Sequence, residues 1–148
     1  MARSVVRQKG FTLVEILVVL AIVSVISAIA YSSYSDNIIK THRADAQATL
    51  VTFAAAMERF YVANGSYEGA SDGDDSLGEI PAAAVFASES PLESATKLYD
   101  LRMNTAATTF TLHAIPKGKQ AGDGRLRYTS TGERSWDKEN NGTYTAPW

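Results

Sequence analysis

The sequence predicts an α+β protein in which one long N-terminal helix carries a small antiparallel β-sheet on its C-terminal half. Three observations predict this fold class. An apolar run begins directly after Gly10, no proline or glycine interrupts the chain from residue 11 to residue 63, and the last third alternates between apolar and polar residues. With 148 residues, the chain is long enough for one domain and an appendage.

Residues 11–31 are the first part of the predicted helix and are long enough to cross a membrane. They contain a single charged side chain, Glu15, and as a helix they would extend about 31 Å, close to the thickness of a hydrocarbon core. Residues 1–10 carry Arg3, Arg7 and Lys9 but no acidic side chain, which favours a cytoplasmic position for them. We therefore predict a single membrane pass, with the C-terminal bulk on the far side.

Three interpretations account for this apolar run. A cleaved secretory signal is disfavoured because the run is too long, although SAIA at 27–30 resembles a cleavage site. A plain membrane anchor explains the hydropathy but not Glu15, because an acid costs about 2.5 kcal/mol or more near the centre of a bilayer. No lysine or arginine lies between residues 10 and 39. In the third interpretation, cleavage after Gly10 frees the amine of Phe11, which then pairs with Glu15 of the same or a neighbouring helix.

The segment KGFTLVEILVVLAI, residues 9–22, resembles the N-terminal signature of type IV pilins and pseudopilins. In that signature a basic leader ends in Gly, Phe follows, and Glu stands at the fifth mature position. The resemblance implies that a prepilin peptidase cleaves between Gly10 and Phe11 and methylates the new amine of Phe11. It also implies that Phe11 and Glu15 act in assembly of a helical filament.

The same resemblance implies the partners and the location of the chain. The partners would be other pilin subunits, the prepilin peptidase and an inner-membrane assembly platform. The chain would be a single-pass inner-membrane precursor and then part of an extracellular pilus. We accordingly divide it into a leader (1–10), a transmembrane and assembly half of the helix (11–37) and a periplasmic or extracellular head (38–148). Ser24 and Ser32 stand where many pilins have Gly and Pro, so no proline kink is expected.

Beyond the apolar run, helical periodicity continues as one stripe of buried-type residues, which we expect to carry the head. The helix is expected to end at Asn64 and Gly65, since glycine readily takes the left-handed cap. The stripe consists of Ala46, Leu50, Phe53, Met57 and Phe60.

Residues 65–97 are predicted to be irregular, apart from a helix start at SPLE (90–93). Strands are predicted at 98–103, 108–115 and 125–130, followed by a turn at Gly132 before RSW. Their alternation indicates an antiparallel sheet with one solvated face, whose apolar face covers the helix stripe.

Two further segments, 58–67 and 110–126, resemble minor pilins of the PilE type. In those proteins an A-x-P-x-G-x-Q-x-x-D stretch links two strands, and it is matched here by Ala114, Pro116, Gly118, Gln120 and Asp123. Relatives commonly carry cysteines near the C-terminus. This sequence has none, so Trp136 and Trp148 are expected to pack there in place of a disulfide-closed loop.

Other chemistries have little support in the sequence. DKENNG (137–142) resembles the start of a calcium loop, but its twelfth position is Trp148, where a bidentate acid is needed. DGDD (72–75) is interpreted as a solvated loop, and His42 and His113 lack ligands or nucleophiles near them in the sequence. We therefore predict a protein that is not an enzyme and that has no cofactor or metal.

Basic residues of the last third form a candidate DNA-binding strip, consisting of Lys117, Lys119, Arg125 and Arg127. Arg134 and Lys138 complete the basic cluster of the last third. Four acids, Asp123, Glu133, Asp137 and Glu139, are interleaved with that cluster, so a mixed solvated surface is favoured and nucleic acid is not expected as a partner.

The leading hypothesis is a structural subunit of a type IV pilus, a minor pilin that supports pilus biogenesis, adhesion and twitching motility. One alternative is a pseudopilin of a type II secretion system, distinguished by a calcium site in the head. The other is a tip pilin that binds DNA or surface ligands.

Overall fold

The computed structural model describes residues 10–148, so most of the predicted leader lies outside the described residues. The chain divides into two compact units, one ending at Ile38 and the other spanning Ile39–Trp148. In chain order the elements are α1 (Leu13–Asn64), β1 (Ser71–Asp75), β2 (Gly78–Pro81), β3 (Glu89–Ser90), β4 (Tyr99–Thr105), β5 (Phe110–Pro116), a 3-10 turn (Gly118–Gln120), β6 (Arg125–Thr129) and β7 (Arg134–Asp137).

Helix α1 begins and ends at recognisable caps. The Glu15 amide donates to the Thr12 hydroxyl at 3.2 Å, which satisfies one of the free N–H groups of the first turn. At the other end the Gly65 amide donates to the Tyr61 carbonyl at 2.7 Å, with Gly65 at a φ of +75°. The predicted end of the helix is therefore confirmed. Helix α1 is long and apolar enough near its N-terminus to span a membrane.

The predicted stripe of α1 is the helix side of the core. Leu50, Phe53 and Met57 are fully buried, and Phe60 is half-buried against the same cluster. The opposing sheet face is made of Tyr99, Leu101, Met103, Phe110, Leu112, Ala114 and Leu126.

The strands form one antiparallel sheet in the order β1-β2-β4-β5-β6-β7, and β3 pairs with β4. Its register aligns the apolar residues, since Leu101 lies opposite Ala114 and Ala114 lies opposite Leu126. One position further along, polar side chains align on the other face: Arg102 opposite His113, and His113 opposite Arg127. Period-two alternation thus separates a core face from a polar face.

Two predictions for residues 65–97 are wrong. The region is not irregular, because it forms β1, β2 and β3. No helix starts at SPLE either. Ser90 lies in β3, and its fully buried hydroxyl contacts Thr49 and Asp45 of α1 at 3.4 Å instead of capping a turn.

A buried group of polar side chains, which we call the polar clamp, joins α1 to the loop between β5 and β6. It consists of Arg43, Tyr99, Gln120, Asp123 and Trp136. Arg43 donates to both Asp123 oxygens and lies 3.9 Å from the centre of the Trp136 ring. Tyr99 and Gln120 donate to the same carboxylate at 3.0 and 2.9 Å. Gln120 also reaches the Ile39 carbonyl of α1 at 2.9 Å. The clamp therefore attaches the part of α1 that begins the second unit to the sheet and its β5–β6 loop.

The two tryptophans pack as expected near the C-terminus. Both lie against the core cluster. Trp136 donates to the Asp123 carbonyl at 2.8 Å, and Trp148 donates to the Ser135 carbonyl at 2.9 Å. An isolated bridge between Trp136 and Ala146 adds the last residues to the edge of β7.

Candidate assembly segment and basic surface

The predicted assembly half of the helix, residues 11–37, exposes its large apolar side chains. Phe11 is 79% exposed, and large apolar residues remain exposed as far as Ile38. The carboxylate of Glu15 makes no hydrogen bond or ion pair with any part of the chain that the structure describes. An apolar surface of this length requires lipid or other protein to cover it.

Thr12 is a residue of this segment that sequence reasoning missed. Its hydroxyl caps α1, and Glu15 stands three residues later, as in a capping box. The pattern T-x-x-E before an apolar run was the available signal. A carboxylate in the first turn is also favoured by the helix dipole. Stabilisation of the first turn of α1 is therefore a local explanation for Glu15, and a test of an assembly role has to separate the two.

Lys117 does not belong to an open basic strip. It forms ion pairs with Glu89 and with Asp100, the latter at 2.8 Å. Partial burial lowers the pKa of Lys117, but hydrogen bonds to the two carboxylates raise this pKa overall. Lys117 is therefore already neutralised within the head.

Arg127 is also engaged within the chain. It donates to Glu133 at 2.6 Å and to Ser135 at 2.9 Å, and its guanidinium lies 4.4 Å from the centre of the Tyr144 ring. The other two predicted residues differ from it. Arg125 donates to the amide oxygen of Asn140 at 3.0 Å, and Lys119 is exposed on the 3-10 turn. Within residues 10–148, neither has a carboxylate partner.

Two further basic residues lie at the end of the sheet. Arg134 and Lys138 are exposed at β7 and just after it. The Arg134 guanidinium lies 5.7 Å from the Tyr128 ring centre and 5.5 Å from that of Trp148. The β6–β7 pairing sets Arg134 opposite Tyr128 and Arg127 opposite Ser135, so strand alternation places Arg134 on the other face of the sheet from Arg127.

His113 lies on the polar face of the sheet, opposite Arg102 of β4 and Arg127 of β6. Its Nδ1 is 3.2 Å from the Tyr144 hydroxyl. Burial, and then the positive charges of Arg127 and Arg125, together lower the pKa of His113 to about 4. His113 is therefore neutral at ordinary pH and leaves the positive charge of this face to the arginines.

The two predicted acidic loops serve local structure. Asp137 is fully buried, and its carboxylate accepts the Asn141 and Gly142 amides at 3.1 and 2.7 Å. Asp72 accepts the Ala83 amide at 3.2 Å. DGDD is thus not simply a solvated loop, because it forms most of β1. Across residues 10–148, no group of three or more His, Asp or Glu side chains is placed to hold a metal ion.

Comparisons with known proteins give two family matches and one similar solved structure. Residues 32–127 match the model described as type IV minor pilin ComP, DNA uptake sequence receptor. Residues 6–31 match the prokaryotic N-terminal methylation motif. The chain is similar to the crystal structure of the Neisseria meningitidis non-core minor pilin PilV, with 16% identity, a TM-score of 0.51, and coverage of 72% of this chain and 93% of that one. No curated protein matches. At this identity, the likeness to PilV shows the fold alone, a long helix followed by an antiparallel sheet.

Proposed function

The chain belongs to the ComP family of type IV minor pilins, and from this premise we propose that it joins its filament through the mature amine of Phe11 and the carboxylate of Glu15. It is a structural pilin subunit, made as an inner-membrane precursor and ending in an extracellular pilus. In this role it supports pilus biogenesis, adhesion and twitching motility. That it has no enzymatic activity stays a prediction.

Maturation is the first step of the proposal. A prepilin peptidase removes residues 1–10 by cleaving between Gly10 and Phe11, and the new amine is methylated. The two residues are exposed ahead of the first turn of α1, where an enzyme can reach the backbone. Residues 11–37 then act as the membrane and assembly half of the helix, and residues 38–148 as the head. The inner-membrane assembly platform and other pilins are the partners in this step.

The carboxylate of Glu15 carries the assembly proposal. Its own backbone amide is satisfied by Thr12, whereas the carboxylate itself has no partner within residues 10–148. Burial of residues 11–37 among neighbouring helices would desolvate this charge, which costs several kcal/mol unless a cation is supplied. The next basic side chain along the helix is Lys40, so the nearest available cation is the amine of Phe11, in the same or a neighbouring subunit.

Glu15→Gln tests this role separately from capping. Glutamine keeps the size and the capping ability of the side chain but removes the charge. We expect the variant to insert in the membrane, but its amount in filaments should fall at least about tenfold. Quantitative mass spectrometry of purified pili and of membranes measures this ratio. Asp36→Asn, further along the same helix, is the matched control and should assemble normally. Normal incorporation of Glu15→Gln would show that the charge of Glu15 is not needed for assembly.

Binding of DNA is a second candidate function. It is favoured by the family description and by two basic residues, Arg125 and Lys119, that are not paired with a carboxylate within residues 10–148. The family model is described as a DNA uptake sequence receptor. Arg125 and Lys119 have no carboxylate partner within the described chain, so phosphates would not have to displace one. The expectation that nucleic acid is not a partner is therefore left unconfirmed.

The test compares free with neutralised basic residues. The full-length chain in detergent is titrated with a DNA duplex at several salt concentrations. Replacing Arg125 and Lys119 by Gln should weaken binding and reduce the salt slope by about 2. Lys117→Gln is the control, because its charge is already paired with Glu89 and Asp100. Equal losses in both variants, or no binding by the parent chain, would count against this candidate function.

A further inference from the structure

The sequence contains two Asn-x-Ser/Thr triplets, the acceptor pattern for N-linked glycans. One is Asn64–Ser66 at the end of α1, and the other is Asn141–Thr143 in the loop after β7. The chain ends in an extracellular pilus, so both triplets leave the cytoplasm, as acceptors of such glycans must. The pattern alone does not distinguish one triplet from the other, but their surroundings in the fold do.

The loop around Asn141 is exposed, but its backbone is held in place. Residues 138–143 are all exposed. Beneath them, the buried Asp137 carboxylate accepts the Asn141 and Gly142 amides at 3.1 and 2.7 Å. A Cβ at Gly142 would meet nothing within 4 Å. The middle position of the triplet is therefore open to a large approaching molecule, while the loop keeps one conformation.

The side-chain amide of Asn141 is hydrogen bonded at both of its ends. Its Oδ1 accepts the backbone amide of Thr143 at 2.8 Å, and its Nδ2 donates to the Glu139 carboxylate at 3.1 Å. An amide nitrogen is a weak nucleophile because its lone pair is delocalised into the carbonyl group. A donor at Oδ1 draws electron density away from the N–H bonds, and a carboxylate beside Nδ2 stabilises positive charge there. Both contacts therefore make a proton of Nδ2 easier to remove.

Asn141 also lines a small polar cleft of about 150 Å³. The other lining residues are Glu139, Thr143 and Thr145. Their carboxylate and hydroxyl groups, together with the Asn141 amide, offer both donors and acceptors of hydrogen bonds. The space at this amide is therefore suited to the hydroxyl groups of a sugar ring.

Asn64 lacks these features. Its Nδ2 donates to the Phe60 carbonyl of α1 at 2.9 Å, so the amide is held against the last turn of the helix. The residue two positions before it is Val62, where the other triplet has Glu139. A backbone carbonyl does not accept a proton outright as a carboxylate does, so this contact gives the nitrogen no activation. The structure thus favours Asn141 over Asn64 as an acceptor.

We propose that Asn141 is the acceptor of an N-linked glycan and that Glu139 is its positioning residue. The donor is a glycan carried on a lipid diphosphate, and a membrane-bound glycosyltransferase makes the transfer. A bond forms between Nδ2 and the anomeric carbon, while the bond from that carbon to the diphosphate oxygen breaks. The lipid diphosphate leaves with the electron pair, and the proton lost by Nδ2 passes to a base of the transferase. The Thr143 side chain is the part of the triplet that the transferase recognises.

The first experiment locates the glycan on the chain. The chain is isolated from the membranes and pili of its own cells and is digested with trypsin, which cuts after Lys138 and releases residues 139–148 as one peptide. We expect mass spectrometry to show this peptide with an added mass that fragments into sugar ions. Electron-transfer fragmentation should place that mass on Asn141, and the peptide that contains Asn64 should carry none.

The second experiment changes the triplet without changing its asparagine. Thr143→Ala removes the hydroxyl that the acceptor pattern requires, so the glycan should be lost, whereas Thr143→Ser keeps the hydroxyl and should keep the glycan. Thr145→Ala is the matched control, since Thr145 lines the same cleft but lies outside the triplet. It should be modified as the parent chain is.

A third set of variants tests Glu139. Glu139→Gln keeps the size of the side chain but removes the carboxylate beside Nδ2, and most of the glycan should be lost. Glu139→Asp restores a carboxylate and should restore the glycan. Glu133→Gln removes another exposed acid near the end of the sheet and should have no effect.

Several outcomes would overturn the inference. Recovery of residues 139–148 only in unmodified or deamidated form would exclude the acceptor, as would a sugar attached to a threonine of this peptide. A glycan that persists in Thr143→Ala would show that the triplet is not recognised, and equal modification of Glu139→Gln and the parent chain would remove the role of Glu139. Assembly and DNA binding are measured on other residues, so this inference and the proposed function can fail separately.

Discussion

Asp123 is the residue on which the polar contacts of the core converge. Its side chain is 5% exposed and accepts hydrogen bonds from Arg43, Tyr99 and Gln120. Burial raises the pKa of Tyr99, and the neighbouring Asp123 charge raises it further, so the phenol stays a donor. The hydrogen bond to Asp123 likewise raises the pKa of Arg43. A buried carboxylate is tolerated here because Arg43, Tyr99 and Gln120 all donate to it.

Asp123→Ala should therefore destabilise the head strongly. It leaves the Arg43 guanidinium and the Tyr99 hydroxyl without their acceptor, for which we expect a loss of about 3–5 kcal/mol in the free energy of unfolding. Urea unfolding of the full-length chain in detergent, followed by the fluorescence of Trp136 and Trp148, measures this. Glu133→Ala removes the exposed partner of Arg127 and should stay within about 0.5 kcal/mol. Similar losses in the two variants would contradict the central role of Asp123.

His113 gives the head a pH dependence. The pKa of His113 is about 4 in the folded chain, below its ordinary value of 6.5, so between these values the unfolded state binds more protons. The stability that His113 contributes is therefore complete above pH 6.5 and is lost as the pH falls towards 4, by about 3 kcal/mol in total. The difference in unfolding free energy between the parent chain and His113→Gln should change across this window. A constant difference would show that His113 is not held neutral.

Residues with local signals were predictable and those with distant partners were not. Leu50, Phe53 and Met57 follow from helical period alone. Gln120 and Asp123 were noticed only through a family resemblance, and nothing pointed to Arg43, which meets Asp123 from 80 positions away. Lys117 and Arg127 were placed in a basic strip because their acidic partners could not be assigned from the sequence.

Among the elements, the strands with apolar alternation were found and the polar hairpin was missed. Strands β4, β5 and β6 lie within about two residues of their predicted bounds. β1 has the sequence SDGDD, which contains no apolar residue and gives no period-two signal. It forms by pairing with β2 and is held by Arg102 of β4, which donates to Asp75 at 2.7 Å. Contacts with a neighbouring strand, which local sequence cannot show, thus create this element.

The junction of β6 with β7 depends on Gly124, and two glycines make a matched test. Gly124 and Gly132 have φ values of +85° and +82°. A Cβ at Gly124 would lie 2.2 Å from the Asp137 carbonyl oxygen, whereas a Cβ at Gly132 would meet nothing within 4 Å. We expect Gly132→Ala to cost about 1 kcal/mol and Gly124→Ala at least about 2 kcal/mol more in unfolding free energy. Equal costs would mean that the close approach is relieved without loss.

At the scale of the whole molecule, one helix serves two environments. Its large apolar residues up to Ile38 are exposed, whereas its later stripe is the helix side of the core of the head. The sequence predicted this contrast because the apolar run is continuous in the first part and periodic in the second. The architecture of a long helix that carries a small sheet followed from that contrast together with the strands. The pairing of Lys117 with Glu89 and Asp100 did not follow from it, because strand order decides which charges become neighbours.

Maturation can be tested on the whole chain. Gly10→Leu places a bulky side chain at the proposed cleavage position and should leave residues 1–10 attached. We expect mass spectrometry of the variant to show an intact leader, and filaments to lack it. Ser24→Ala, inside the apolar segment, should be cleaved normally. A methylated N-terminus at Phe11 in Gly10→Leu would show that Gly10 does not specify the cleavage position.

The polar clamp also has a mechanical consequence. When tension is applied along α1, it is transmitted to the strands through two contacts: the hydrogen bond from Gln120 to the Ile39 carbonyl and the hydrogen bonds from Arg43 to Asp123. Contacts between charged and polar groups break when water replaces one partner, whereas apolar surfaces can slide past one another. Pulled chains should therefore rupture at lower force in Asp123→Ala than in the parent, and the toughness of a fibre would depend on one carboxylate in each subunit.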